Sequence, residues 1–272
     1  MKAIFKYNDI LKNILELSKM NIESAVLECR PDGMRVEAMD SSHVSLMSFY
    51  FNNEELFEEY VAAGEKIGFL FENMFKILKI ASKNDTLIFE HESGDNNMKI
   101  QIKNSDKQWV FNLLLIEMDF DELTVPPPQS GLILRIDTED LSNNLKILSE
   151  FADNIKISYE GGTISLSASI NDSSEPVAQV SLNSKCKWYS DSSEHGSTLQ
   201  DILNDKIMDC DIDVNSLDLT FASKYLFQYC TGKKVAKQIV LLLVDNCPLT
   251  IGYGIGEKSN LVFFLAPKMK ED

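Results

Sequence analysis

Lys12, Lys19, Lys76, Lys79, Lys83, Lys146 and Lys224 stand in four short segments, 8–20, 72–83, 139–149 and 221–237, which together hold ten lysines against five acidic residues. Ammonium groups spaced along helices attract phosphate oxygens whatever the base sequence. Asp119, Asp121 and Glu122 form a second cluster, with the donor type a divalent cation needs for phosphodiester cleavage. A metal-dependent nuclease is the remote alternative on that ground; an exposed acidic connector accounts for the cluster more simply. His43 lacks supporting metal-ligand spacing, as do His91 and His195, and the five cysteines (Cys29, Cys186, Cys210, Cys230, Cys247) include no C-x-x-C pair. The chain has no phosphate-binding G-x-x-x-x-G-K-[ST] loop, no nucleophile elbow and no H-E-x-x-H. We therefore expect no catalytic residue, no metal and no cofactor, and a protein that is not an enzyme.

The elements that must position the lysines are short amphipathic helices. In the first, Ile10, Leu11, Ile14 and Leu15 make an apolar stripe, with Lys12 and Lys19 on another face. Met74, Phe75, Leu78 and Ala81 do the same beside Lys76, Lys79 and Lys83. The third carries Leu141, Leu145 and Leu148 with Lys146 in a segment of net charge −1. The fourth carries Leu226, Phe227 and Cys230 with Lys224, followed by Lys233, Lys234 and Lys237 after a glycine. Any one of these lysines alone is an ordinary solvated residue.

Between the helices the chain alternates in the strand manner. Strands are expected at 44–51, 66–70, 86–91, 97–102 and 109–117, then at 132–136, 155–160, 163–169, 177–182, 207–213, 238–244, 249–255 and 261–265. Glu28 to Ala38 has the hairpin form of Ser158 to Ala168, whose turn is Glu160-Gly161-Gly162. The order helix, strands, helix, strands occurs twice, so 272 residues divide into two β-rich halves. Between them Met118 to Gly131 includes Pro126-Pro127-Pro128, which hold the chain extended. Its ~14 residues at roughly 3.3 Å each can span on the order of 45 Å. Residues 183–205 are polar and read as a surface insertion.

The formal net charge of −16 argues at first against nucleic acid. The charge is unevenly distributed, however: the four helical segments sum to +5 and the rest of the chain to −21. No apolar run is long enough to span a membrane, and Met1 to Tyr7 has no signal character. An intracellular protein without membrane contact is expected.

Four segments carry a family resemblance. Ala38-Met39-Asp40-Ser41-Ser42-His43-Val44-Ser45-Leu46, the connector Met118 to Pro126, Leu219-Thr220-Phe221-Ala222-Ser223-Lys224-Tyr225-Leu226 and Phe263-Phe264-Leu265-Ala266-Pro267-Lys268 stand in order and at family-like spacing. Together they resemble the proliferating cell nuclear antigen family of sliding DNA clamps. The resemblance implies an α+β DNA-clamp fold: two similar β-rich domains, 1–117 and 132–272, each with two helices on one face, joined by the connector 118–131. Three chains would close into a homotrimeric ring whose helices line the hole. The implied function is that of a DNA polymerase processivity factor that encircles double-stranded DNA in the nucleus and recruits replication and repair proteins. A subunit of a heterotrimeric checkpoint-type clamp is the nearer alternative.

The same resemblance assigns sites. The seven lysines named first would face DNA. Met39, His43, Val44, Leu46, Leu123, Val125, Pro126, Pro248, Phe264, Ala266 and Pro267 would form a pocket under the connector. Clients of the DNA polymerase, clamp loader, flap endonuclease and DNA ligase types would insert a short hydrophobic motif there. Phe111, Val177 and Val180 would lie on the edge strands, about 109–117 and 176–183, that join subunits. The position of the family's modified lysine falls on Ser165.

Overall fold

A computed structural model describes residues 1–118, 130–170, 175–182, 185–190, 198–207 and 216–268. The chain divides into two compact units, Met1–Val125 with Ile255–Leu261, and Pro126–Gly254 with Val262–Asp272.

The first unit runs β1 (Lys2–Phe5), α1 (Asn8–Ser18), β2 (Ser24–Arg30), β3 (Gly33–Met39), β4 (Ser45–Asn52), α2 (Asn53–Leu56), β5 (Phe57–Val61), β6 (Glu65–Leu70), α3 (Phe71–Leu78), β7 (Thr86–Glu90), β8 (Asn97–Lys103) and β9 (Gln108–Leu114). Its strands form two antiparallel runs, β5-β1-β7-β8-β9 and β4-β3-β2-β6. Alternation places Leu27, Cys29, Val36, Phe49, Phe51, Phe69 and Phe89 in the core. Leu11, Ile14 and Leu15 of α1 and Phe71, Met74 and Leu78 of α3 are buried as well. Beyond β9 the chain passes alongside β6: Ile116 N–H donates to Gly68 O at 3.0 Å. A Cβ on Gly68 would stand 2.2 Å from the Ile116 carbonyl oxygen, so only glycine admits this approach.

The second unit continues with β10 (Gly131–Asp137), α4 (Thr138–Ser149), β11 (Asn154–Glu160), β12 (Thr163–Ala168), β13 (Ala178–Leu182), β14 (Lys185–Tyr189), α5 (Leu199–Leu203), β15 (Ser216–Ala222), α6 (Ser223–Tyr229), β16 (Gln238–Leu243), β17 (Leu249–Gly254) and β18 (Asn260–Leu265). Here the runs are β13-β12-β11-β15 and β14-β10-β16-β17-β18. The β11–β12 hairpin closes through Gly161 and Gly162 at φ 54° and 85°, the positive values a two-residue turn requires. Asp137 caps α4, accepting from the N–H groups of Glu139 and Asp140. Leu141, Leu145, Leu148, Leu226 and Tyr229 are the buried apolar residues of α4 and α6.

Several expectations are corrected. Within 183–205, expected as a polar surface insertion, Lys185–Tyr189 is strand β14, paired with β10, and Leu199–Leu203 is a helix that buries Ile202 and Leu203 behind a Thr198–Asp201 capping box. The last helical segment, expected over 221–237, is a helix only from Ser223 to Tyr229. Residues 216–222 form β15, because Leu217, Leu219 and Phe221 alternate inward against β11. The helix expected at 72–83 ends at Leu78, and the edge strand expected at 109–117 ends at Leu114. The strand expected at 207–213 falls almost wholly outside the described residues. Strands β1 and β5 and helix α2 had no counterpart among the expected elements.

Candidate nucleic-acid interface and partner segments

The lysines concentrate at helix ends. Within α1, α3, α4 and α6 there are four, Lys12, Lys76, Lys146 and Lys224, against five acids. The +5 charge thus belongs to the longer segments 8–20, 72–83, 139–149 and 221–237, with Lys19 capping α1, Lys79 capping α3, and Lys83, Lys233, Lys234 and Lys237 in the turns beyond. Cations beside the last carbonyls complement the negative end of the helix dipole, typically worth 0.3–1 kcal/mol each. The same placement leaves their heads at the surface.

In the first unit α1 and α3 lie side by side. Lys12 is half-buried and its Nζ donates to Ala81 O at 3.1 Å. Lys19 Nζ lies 4.1 Å from the centroid of the Phe75 ring. Lys76 pairs with Glu72 at 2.6 Å, one turn earlier. Lys79 and Lys83 are exposed, with no ion-pair partner among the described residues. In the second unit Lys146 and Lys224 are likewise exposed without such a partner, and Lys233 pairs with Glu139 at 2.8 Å. The lysines therefore differ in how free they are to meet a phosphate.

The turn between β3 and β4 is built around one carboxylate. Asp40, 3% exposed, accepts from Val44 N–H at 2.9 Å and Ser45 N–H at 2.5 Å through Oδ1, and from Ser42 N–H at 3.2 Å through Oδ2. Ser45 Oγ adds a bond at 3.2 Å. Closing so tight a turn puts His43 at φ 56°, a conformation few non-glycine residues adopt. His43 is exposed, with Nδ1 3.0 Å from Met39 Sδ. Asp40 was not singled out in the sequence, although Asp before Ser-Ser signals an Asx-type turn.

Of the partner residues, Met39 and Val44 are half-buried and Leu46 is buried in the first unit. In the second, Phe264 is buried, Ala266 and Pro267 are half-buried, and Pro248 is exposed. Leu123, Val125 and Pro126, with the carboxylates Asp119, Asp121 and Glu122, lie outside the described residues. Of the interface residues, Phe111 is half-buried on β9 and stacks on Trp109 with centroids 6.1 Å apart. Val177 is exposed just before β13, and Val180 is half-buried within it. Ser165 sits half-buried in β12, between Ser158 and Ser181. Among the described residues no group of His, Cys, Asp and Glu could hold a metal ion.

Comparison with known proteins gives a consistent result over the whole chain. Residues 1–123 match the model of the N-terminal domain of proliferating cell nuclear antigen, and residues 125–268 that of its C-terminal domain. A probable DNA polymerase sliding clamp of Paramecium bursaria Chlorella virus 1 is 26% identical over 263 residues, 95% of this chain and 93% of the relative. In fold, the chain is similar to the crystal structure of proliferating cellular nuclear antigen from Entamoeba histolytica, with a TM-score of 0.80 and 21% identity over 98% of both chains. The chain belongs to the proliferating cell nuclear antigen family, the non-enzymatic sliding clamps that serve as DNA polymerase processivity factors.

Proposed function

We propose that three copies of this chain close into a ring around duplex DNA, with Lys12, Lys19, Lys76, Lys79, Lys83, Lys146 and Lys224 towards the phosphates. The observation that carries the ring is a pair of sheet edges. β9 ends one run with Trp109, Val110 and Leu114 at 47%, 50% and 63% exposure, and β13 ends another with Val177 beside it at 51%. Neither edge has a strand partner among the described residues, and strand pairing between subunits through Phe111, Val177 and Val180 would satisfy both. A ring holds DNA by topology, so the lysine contacts can stay weak and independent of sequence, as sliding requires.

Clients bearing a short hydrophobic motif are captured through the residues that the family resemblance assigns: Met39, His43, Val44 and Leu46, the connector residues Leu123, Val125 and Pro126, and Pro248, Phe264, Ala266 and Pro267. DNA polymerase, clamp loader, flap endonuclease and DNA ligase types are the partners this supports. A processivity factor works in a compartment that contains DNA, which we take to be the nucleus. Domain limits of 1–117 and 132–272 about a connector at 118–131 belong to the same proposal.

Native mass measurement tests the ring. A homotrimer of three 30.8 kDa chains that extends polymerase products on a primed circular template is expected. A stable monomer would overturn the proposal. Assembly only with other clamp-like chains would point to the heterotrimeric checkpoint type instead.

A further inference from the structure

The chain beyond α3 carries Lys83 in a turn that is bonded both within itself and from elsewhere. Asp85 N–H donates to Ser82 O at 3.0 Å, and Ser82 N–H donates to Asp85 Oδ2 at 2.9 Å, so Ser82 to Asp85 is closed on itself. Asn8, the first residue of α1, reaches into this turn. Its Nδ2 donates to Ser82 O at 2.7 Å and to Asp85 O at 2.5 Å, across more than seventy residues of sequence. Lys12, one helical turn later, holds the Ala81 carbonyl. From the other side Asn104 Nδ2 donates to Asp85 Oδ1 at 2.9 Å.

Asn8 is 3% exposed, and its own Oδ1 is buried with no hydrogen-bond partner. A buried amide that leaves its acceptor unused is costly. As a helix N-cap an Asn would use that same oxygen. Here α1 has no side-chain cap, and both Asn8 donors are spent on the turn. Lys83, by contrast, is exposed and has no ion-pair partner among the described residues.

We infer that Asn8 is a positioning residue for duplex contact: through the Ser82–Asp85 turn it fixes the backbone from which the Lys83 side chain reaches out. The inference rests on the lysine face being the surface that meets phosphate. A fixed turn limits the ways in which a long, flexible lysine can approach the backbone, so less freedom is lost when contact is made.

The test is a double-mutant cycle on the assembled protein, reading its affinity for a short linear duplex over a series of salt concentrations. Lys83→Ala should weaken binding and lower the slope of log Kd against log salt by about 0.9 for each subunit whose Lys83 meets a phosphate, up to roughly 2.7 when all three do. Asn8→Ala should weaken binding by no more than that, and Asn8→Ala with Lys83→Ala should bind no more weakly than Lys83→Ala alone. A purely structural role for Asn8 would add to the Lys83→Ala loss, and that result overturns the inference. So does parental affinity for Asn8→Ala where Lys83→Ala is weakened. Parental affinity for Lys83→Ala would instead refute the assignment of Lys83 to DNA, and the inference with it. Should Asn8→Ala fail to fold, Asn104→Ala, which releases the same turn from its exposed side, takes its place with the same outcomes.

Discussion

Lys19, which caps the C-terminal end of α1, holds its ammonium 4.1 Å from the centroid of the Phe75 ring on α3. The contact joins the two helices of the first unit at the end where α1 presents its last carbonyls, so one cation serves both the helix dipole and the ring face. Lys19 is nevertheless exposed, and a phosphate can approach it from the solvent side. Phe75→Leu should cost about 0.5–1 kcal/mol in urea denaturation with little change in duplex affinity. Lys19→Met should cost similar stability and also flatten the salt dependence of DNA binding by about 0.9 in slope for each subunit whose Lys19 meets a phosphate. Equal effects of the two variants on DNA binding would refute a phosphate contact by Lys19.

The buried Asp40 carboxylate organises the whole β3–β4 turn. Removing it in Asp40→Ala strands the N–H groups of Ser42, Val44 and Ser45, and a loss of about 3 kcal/mol in chemical denaturation is expected. Asp40→Asn keeps one oxygen able to accept and should cost less, about 1–2 kcal/mol. Because Met39, His43 and Val44, proposed to meet clients, sit on this turn, client-peptide affinity should fall in the same order, measured by calorimetry on the folded protein.

Strand alternation made most of the sheet legible from sequence, since Val26 to Met39 and Asn154 to Ala168 bury one side of each strand. The elements it missed break that rule for physical reasons. In β5, Glu58 and Glu59 are consecutive and exposed on an edge strand, where packing does not dictate the pattern. β14 lies in a polar stretch, and β15 runs directly into α6, so its apolar residues merge with the helical ones. Among the lysines, the sequence did not reveal that Lys19, Lys79 and Lys83 lie beyond the ends of α1 and α3, nor what each lysine is bonded to. The Glu72–Lys76 pair could have been read from its i, i+4 spacing. The bonds from Lys12 and Asn8 to 81–85 could not, because they depend on the packing of α1 against the end of α3.

The carboxyl of Asp85 is held below its ordinary value of 3.8, first by the Ser82 N–H and then by the Asn104 amide. A lowered carboxylate stabilises the folded state above its unfolded value, and that contribution is lost as pH falls through the folded one. Amide exchange at Ser82 should therefore stay protected as pH falls to the ordinary value of 3.8 and lose protection only below it. Asn104→Ala should move the loss to higher pH. Protection that is flat from pH 6 to pH 2 would mean the carboxylate does not hold the turn.

Burial, with Glu65 as a second cause, pushes the Cys29 thiol up to about 12, and burial alone raises that of Cys230. Neither offers thiolate at neutral pH, and both are 0% exposed. Alkylation of the native protein at pH 7.5, followed by peptide mass analysis, should modify the half-buried Cys186 and Cys247 well before Cys29 and Cys230. Early labelling of Cys29 would show that the β2–β3 hairpin opens locally.

His43 separates turn geometry from partner contact. At φ 56° it adopts a conformation that glycine enters freely, while its exposed ring meets Met39 Sδ. In His43→Gly the relief of strain opposes the extra entropy of the unfolded chain, so stability should stay within about 1 kcal/mol of the parent. The Asp40 bonds come from Ser42, Val44 and Ser45, so the turn should keep its shape. Client-peptide affinity should nonetheless fall by several-fold in calorimetry, because the side chain proposed to meet the client is gone. His43→Ala, which keeps the strain and loses the ring, should lose the same affinity and more stability. If both variants bind the peptide like the parent, His43 is a turn residue alone, and the partner contact must be sought in Met39, Val44 and the segment 264–267.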